Sequence, residues 1–150
     1  MAREVRMAGG TLVEIAVVLI TLVLISAMAV PQIAMARSDA TRTALVERSR
    51  SLNQAIAVYR MSHGGALPEI GRSVSDPVGW GVLIRAGVLR DVPINPYTGA
   101  MTVVRERASM APEFAPGDRV GWVWDSQTGL IRAAGYDVET GTLFHERPIE

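Results

Sequence analysis

Residue types that do chemistry are thinly spread in this chain, and one of them stands in an unusual place. Between Thr11 and Ala36 the only formally charged side chain is Glu14. A carboxylate at the start of an apolar stretch costs free energy unless it is hydrated or paired, so a partner is called for. A negative charge in a first helical turn is also favoured by the helix dipole, and a helix-start role alone is the plainer alternative. The chain has 2 histidines, His63 and His145, and no cysteine. Thiolate nucleophiles, disulfides and cysteine metal sites are thereby excluded. His63 has no second histidine or cysteine beside it and reads as a capping or surface residue. No phosphate loop, no HExxH motif and no nucleophilic triad is present, so no catalytic residue is assigned and the chain does not read as an enzyme. Asp125, Asp137 and Glu139 fall near late loops, where they can approach one another as calcium ligands. Their spacing does not match an EF-hand, solvated turn residues are the simpler account, and no cofactor is expected.

The elements that must carry these residues are legible from hydropathy. Ile15–Ala36 carries no formal charge. At about 1.5 Å per residue it is long enough to cross a hydrocarbon layer of roughly 30 Å, so a membrane-spanning helix is expected. Arg3 and Arg6 precede it, which favours a cytoplasmic amino terminus and an exported remainder. A soluble alternative exists: Ala27-Met28-Ala29 fits a small-x-small signal cleavage site, which would release a protein beginning near Val30. Glu14, at the beginning of the apolar region, fits that alternative poorly. What remains after the apolar stretch suffices for one small domain with a modest core. Basic and acidic residues number 15 each, the formal net charge is zero, and the arginines are scattered. No basic stripe for nucleic acid results, and no direct nucleic-acid partner is expected.

Gly9-Gly10-Thr11-Leu12-Val13-Glu14, the apolar run behind it, and Pro31-Gln32 together resemble the amino-terminal signature of type IV pilins and type II secretion pseudopilins. In that family a prepilin peptidase cuts after a glycine, and the key glutamate is the fifth residue beyond the cut. The resemblance therefore implies cleavage between Gly9 and Gly10, methylation of the new amino terminus, and an assembly role for Glu14. Within a filament that carboxylate is implied to pair with the amino terminus of a neighbouring subunit and so to set register. The departure is Gly10, where the family usually has phenylalanine or another apolar residue. Glycine removes an aromatic packing group and loosens the start. Pro31 is expected to kink or loosen the long helix, ending the membrane span or letting the stem adapt on extraction.

The implied organisation is a leader over 1–9, a transmembrane and filament-core helix over 10–36, an amphipathic continuation over 37–61 and a small extracytoplasmic head over 62–150. The implied fold class is α+β and pilin-like, with the long helix packed on a small antiparallel sheet. The implied function is a structural subunit of a secretion pseudopilus or a type IV pilus-like filament. Its partners would be copies of itself, other pilin-like subunits, the prepilin peptidase, an inner-membrane assembly platform and the bilayer. It would reside in the inner membrane with its head outside, and then in a periplasmic or cell-surface filament. The alternative is a membrane-tethered extracytoplasmic binding module that does not polymerise.

Within the head, Leu45, Leu52, Ile56 and Tyr59 recur at helical spacing and predict one buried stripe, with the helix continuing to about Met61. Gly64 or Gly65 supplies a left-handed cap. Asp76 and Pro77 predict the start of a short helix with Trp80, Leu83 and Ile84 facing the core and Gly87 at its end. Asp91–Gly99 reads as a turn-rich bridge into the sheet. Strands are expected at Met101–Val104, Gly121–Trp124, Leu130–Ala133 and Thr142–His145, the middle two forming a hairpin around Asp125–Gly129. Met110–Asp118 reads as a surface loop.

Overall fold

The computed structural model describes residues 10–146, in the order α1 (Gly10–Ser62), α2 (Gly81–Arg85), β1 (Val103–Arg105), β2 (Trp122–Asp125), β3 (Leu130–Ala133), β4 (Tyr136–Asp137) and β5 (Thr142–Leu143). Short 3-10 turns occupy Ala108–Glu113 and Phe144–Glu146. The fold is mixed α+β. The chain divides into two compact units, one ending at Asp39 and one beginning at Ala40, and α1 contributes to both. The expected leader, with Gly9, lies outside the described residues, as do the side chains of Pro31 and of the Ala27-Met28-Ala29 site.

In the first unit the described residues form helix alone, and helical backbone runs through position 31, so Pro31 does not interrupt it. Among the described residues no helix is long and apolar enough to cross a membrane.

In the second unit the carboxy-terminal part of α1 presents Leu45, Leu52 and Ile56 to the core, all buried, with Tyr59 partly so. Intervals of seven, four and three residues keep these side chains on one face. The helix ends as its glycines dictate: Gly64 and Gly65 have φ of 63° and 90°, and the Gly65 N–H reaches back to the Arg60 carbonyl at 2.7 Å. Backbone with positive φ is open to glycine at little cost and lets the last turn close on its own carbonyls. Polar contacts then fix the helix to the sheet. Asn53 donates through Nδ2 to the Ile131 carbonyl and accepts the Ile131 N–H, both at 2.9 Å. This occupies the outer edge of β3, which would otherwise be open to another strand. Arg48 donates to the Ile94 carbonyl, and Arg42 pairs with Glu146 at 2.7 Å.

The sheet corrects one expectation. Its order is β1-β2-β3, with β2 and β3 antiparallel but β1 and β2 parallel, Val103 opposite Trp122 and Arg105 opposite Trp124. The head sheet is therefore mixed, and β4 and β5 form a separate antiparallel pair. A parallel neighbour needs a crossover, and the segment between Arg105 and Trp122 supplies it. Within it, Met110–Asp118 reads from the sequence as a surface loop. The segment instead contains the 3-10 turn Ala108–Glu113, whose Ala111 is fully buried and accepts the Gly135 N–H at 2.7 Å. The short helix also begins later than expected. Asp76 accepts the N–H groups of Gly79 and Gly81 and so caps the turn before α2, while Pro77 lies outside α2. Trp80 and Leu83 are buried but Ile84 is exposed, because a helix of this length has room for only one inward turn. The last expected strand is Thr142–Leu143 alone, the chain then tightening into the 3-10 turn.

The core is built around tryptophan. Trp80, Trp122 and Trp124 are essentially fully buried, and Trp80 meets Trp122 edge to face with ring centroids 6.4 Å apart. Both indole N–H groups that face backbone find acceptors, Trp80 at the Met101 carbonyl (2.7 Å) and Trp122 at the Pro93 carbonyl (2.9 Å). Buried indoles are tolerated when this donor is satisfied.

Candidate functional site

The first unit offers the most distinctive surface. Ile15, Val17, Val18, Leu19, Ile20, Leu22, Val23, Leu24 and Ile25 are all more than half exposed, and they surround the helix rather than forming a stripe. A helix that is apolar on every side has no wet face, so its stable environment is apolar on every side. Its polar groups are already satisfied: the Thr21 hydroxyl donates to the Val17 carbonyl at 2.6 Å and the Ser26 hydroxyl to the Leu22 carbonyl at 2.8 Å. Covering these nine side chains is worth on the order of 10 kcal/mol. Glu14 lies exposed one turn from the described amino-terminal end of α1, next to Val13 and Ile15. Among the described residues it is the one charge that a partner covering this end of the helix meets. Gly10 is the first described helical residue, so position 10 places no side chain beside Glu14.

Two of the late acidic residues, Asp125 and Asp137, each organise a turn. Asp125 is buried and accepts the N–H groups of Gln127 at 2.9 Å, Thr128 at 3.2 Å and Ala108 at 3.3 Å. The Gln127 N–H is the largest of the influences that hold its carboxyl below the usual carboxylate range; the Thr128 and Ala108 donors add to it, while burial opposes. Asp137 accepts the N–H groups of Glu139 at 2.9 Å and Thr140 at 3.4 Å. Asp125 thus serves the β2–β3 turn, and Asp137 the β4–β5 turn. Among the described residues no group of three or more His, Cys, Asp or Glu is arranged to hold a metal ion.

These two turns belong to a series of three. In Asn95-Pro-Tyr-Thr-Gly99, Asp125-Ser-Gln-Thr-Gly129 and Asp137-Val-Glu-Thr-Gly141 the first side chain accepts the N–H groups two and three residues on. In each the glycine N–H donates to the first residue's carbonyl, at 2.9, 2.8 and 2.9 Å, and the glycine φ is 75°, 70° and 69°. The Asx side chain organises the turn, and glycine alone takes the final left-handed position freely. The repeated Asx-x-x-Thr-Gly pattern is readable in the sequence, but only as a recurrence, since each copy alone is an ordinary turn.

Asn95 does more than its counterparts. It is fully buried, and its Nδ2 donates to the Gly121 carbonyl at 2.6 Å and the Ala134 carbonyl at 3.0 Å. Two of the four hydrogen bonds of this side chain join the bridge to the residues flanking the β2–β3 hairpin, and the other two close its own turn. Nearby, Tyr97 packs parallel to His145 with ring centroids 5.7 Å apart, and its hydroxyl accepts the His145 backbone N–H at 3.2 Å. Burial raises the Tyr97 hydroxyl above its ordinary range, against the lowering effect of that N–H and with a further rise from Glu146. His63 stacks on Tyr59 at 3.9 Å at the end of α1, in keeping with a capping and surface position. The comparisons with family models, with curated proteins and with solved structures find no match to this chain.

Proposed function

We propose that this chain is a structural subunit of a type II secretion pseudopilus or a type IV pilus-like filament, matured by a prepilin peptidase between Gly9 and Gly10. The observation that carries the reading is the helix over 12–25: apolar on all sides, exposed, and interrupted by one charge at Glu14. In the precursor a bilayer covers those side chains, with Glu14 hydrated near the cytoplasmic interface. In the filament neighbouring helices cover them, and Glu14 then needs an opposite charge, which a neighbour's amino terminus supplies. Pairing of that kind penalises a slipped register, because any other register leaves the carboxylate unpaired. The second unit, with its own tryptophan-centred core, is the head on the filament surface.

Intact-mass and amino-terminal analysis of the protein recovered from membranes tests this. A methylated amino terminus at Gly10 is expected. An intact leader would indicate a tethered module, and a start near Val30 a secreted protein; either result overturns the proposal.

A further inference from the structure

Among the described residues the edge of the three-stranded sheet at β1 is open at Arg105, whereas the edge at β3 is covered by α1. That cover is incomplete. On this flank α1 is held by polar contacts at Asn53, which binds the Ile131 backbone, and at Arg42, which pairs with Glu146 at 2.7 Å. Between these two points lies a cleft of about 220 Å³, lined by Val46, Ser49 and Asn53 of α1, by Leu130 of β3, and by Tyr136 and Val138. Val46, Leu130 and Val138 remain 38%, 43% and 52% exposed, so its wall presents uncovered apolar surface. A cleft of this size takes one branched aliphatic side chain, far short of the surface that a stable contact between two proteins buries.

Arg42, Val46, Ser49 and Asn53 follow one another at intervals of four, three and four residues, so they share one flank of α1. The Arg42–Glu146 pair therefore sets residue 146 at one end of the same cleft. The next residues in the sequence are Arg147-Pro148-Ile149-Glu150, which lie outside the described residues. From Arg42 to Ser49 the helix rises about 10 Å. Three residues of extended chain also span about 10 Å, which brings position 149 to the middle of the cleft. Ile149 is the one branched aliphatic side chain among these four residues. The charges agree with the same path. Asp137 and Glu139 flank Val138, and Arg147 precedes Ile149. Arg132 also lines the cleft and forms no salt bridge with a described residue, and Glu150 follows Ile149.

We propose that residues 147–150 form a strap along this cleft, with the Ile149 side chain seated among Val46, Leu130 and Val138. The strap covers the apolar wall that the rest of the head leaves exposed. Pro148 favours this path. The residue before a proline is driven toward extended backbone, so Arg147 does not prolong the 3-10 turn at Phe144–Glu146. Arg147 then passes the Asp137–Glu139 turn, and Glu150 meets Arg132. Arg48, bonded to the Ile94 carbonyl, secures α1 on its other flank. The strap secures the flank that carries the cleft and ties the β4–β5 pair to the helix. The inference is independent of the filament reading, since it concerns the second unit alone.

The test uses the full chain in detergent micelles, labelled with ¹³C at the methyl groups of Ile, Leu and Val. Nuclear Overhauser cross-peaks are expected from the Ile149 δ1 methyl to the Val46 and Val138 methyls. Ile149→Asp should abolish them and shift the Val46, Leu130 and Val138 methyl resonances, while those of Leu52 and Ile56 in the core stay in place. The proposal is overturned if the natural chain lacks these cross-peaks, or if the Val46 and Val138 methyls do not move in Ile149→Asp. Cross-peaks arising only between differently labelled copies overturn it by making a second copy the occupant. Cross-peaks from detergent alkyl chains in their place overturn it by making the cleft a lipid-facing surface.

Discussion

Asn95→Ala probes the point where most of the head's polar organisation converges. The substitution removes four hydrogen bonds, two donated to the Gly121 and Ala134 carbonyls and two accepted from the Tyr97 and Thr98 N–H groups. Their loss is uneven. The Gly121 carbonyl keeps the Ala134 N–H at 3.0 Å, whereas the Ala134 carbonyl and the two N–H groups lose the contact that Asn95 provides. At about 1 kcal/mol or slightly more for each of those three groups, the expected destabilisation is about 3–4 kcal/mol. That is a large part of a typical domain's 5–15 kcal/mol. Urea unfolding followed by the emission of Trp80, Trp122 and Trp124 reads it as a midpoint lower by about 1–4 M, for a slope of about 1–3 kcal/mol per M. Asn95→Asp adds a second readout. It keeps the acceptor but sets a carboxylate oxygen against two carbonyls in a buried site, so its folded pKa lies above the unfolded value of about 3.9. The resulting penalty is full at neutral pH and relieved as pH falls through the folded pKa, where the protonated acid regains a donor. A loss below about 1 kcal/mol for Asn95→Ala, or an Asp variant insensitive to acid, would refute the assignment of Asn95 as the hub.

Gly135 has φ of 79°, and a Cβ there would lie 2.4 Å from Tyr97 ring carbons, whereas Gly117, with φ of 88°, has nothing within 4 Å. Gly117→Ala is therefore expected to cost about 1–2 kcal/mol from the backbone alone, and Gly135→Ala about 2 kcal/mol more, measured as a difference in thermal or urea stability. Asp125→Asn should be less stable than the natural chain at neutral pH. The gap should narrow as pH falls through about 4 and below, because a folded pKa held below the unfolded one contributes stability only above that range. A gap that is constant with pH would remove the carboxylate's charge from the account. Glu14→Ala should leave the urea midpoint of the head unchanged while filament incorporation, scored by co-sedimentation with sheared filaments, falls severely. Normal incorporation would refute the register role.

Periodicity made the helix legible and left the sheet obscure. Leu45, Leu52, Ile56 and Tyr59 lie on one helical face whatever they pack against, because the turn angle is a property of the local backbone. The glycines at 64 and 65 ended that helix for equally local reasons. Ile84 could not be placed the same way: α2 is too short for its pattern to choose a face, and only the position of the core decides which side is inward. The parallel pairing of β1 with β2 was beyond reach, since Val103–Arg105 is three residues long and its direction depends on how the segment from 106 to 121 returns. The two asparagines that tie segments together escaped for another reason. Nothing in the composition distinguishes Asn53 and Asn95 from surface residues until the backbone groups they satisfy are brought beside them.

By itself the sequence determined the long helix, its apolar first part with Glu14 as the single charge, the place where it stops, and the three glycine-ended turns. All of these follow from interactions between residues close along the chain. The mixed sheet, the closure of one sheet edge by Asn53, the openness of the other at Arg105 and the joining of Asn95 to the Gly121 and Ala134 carbonyls were settled only in three dimensions. Each of these depends on which backbone hydrogen-bonding groups are left unsatisfied when distant segments meet, and a linear sequence does not carry that accounting.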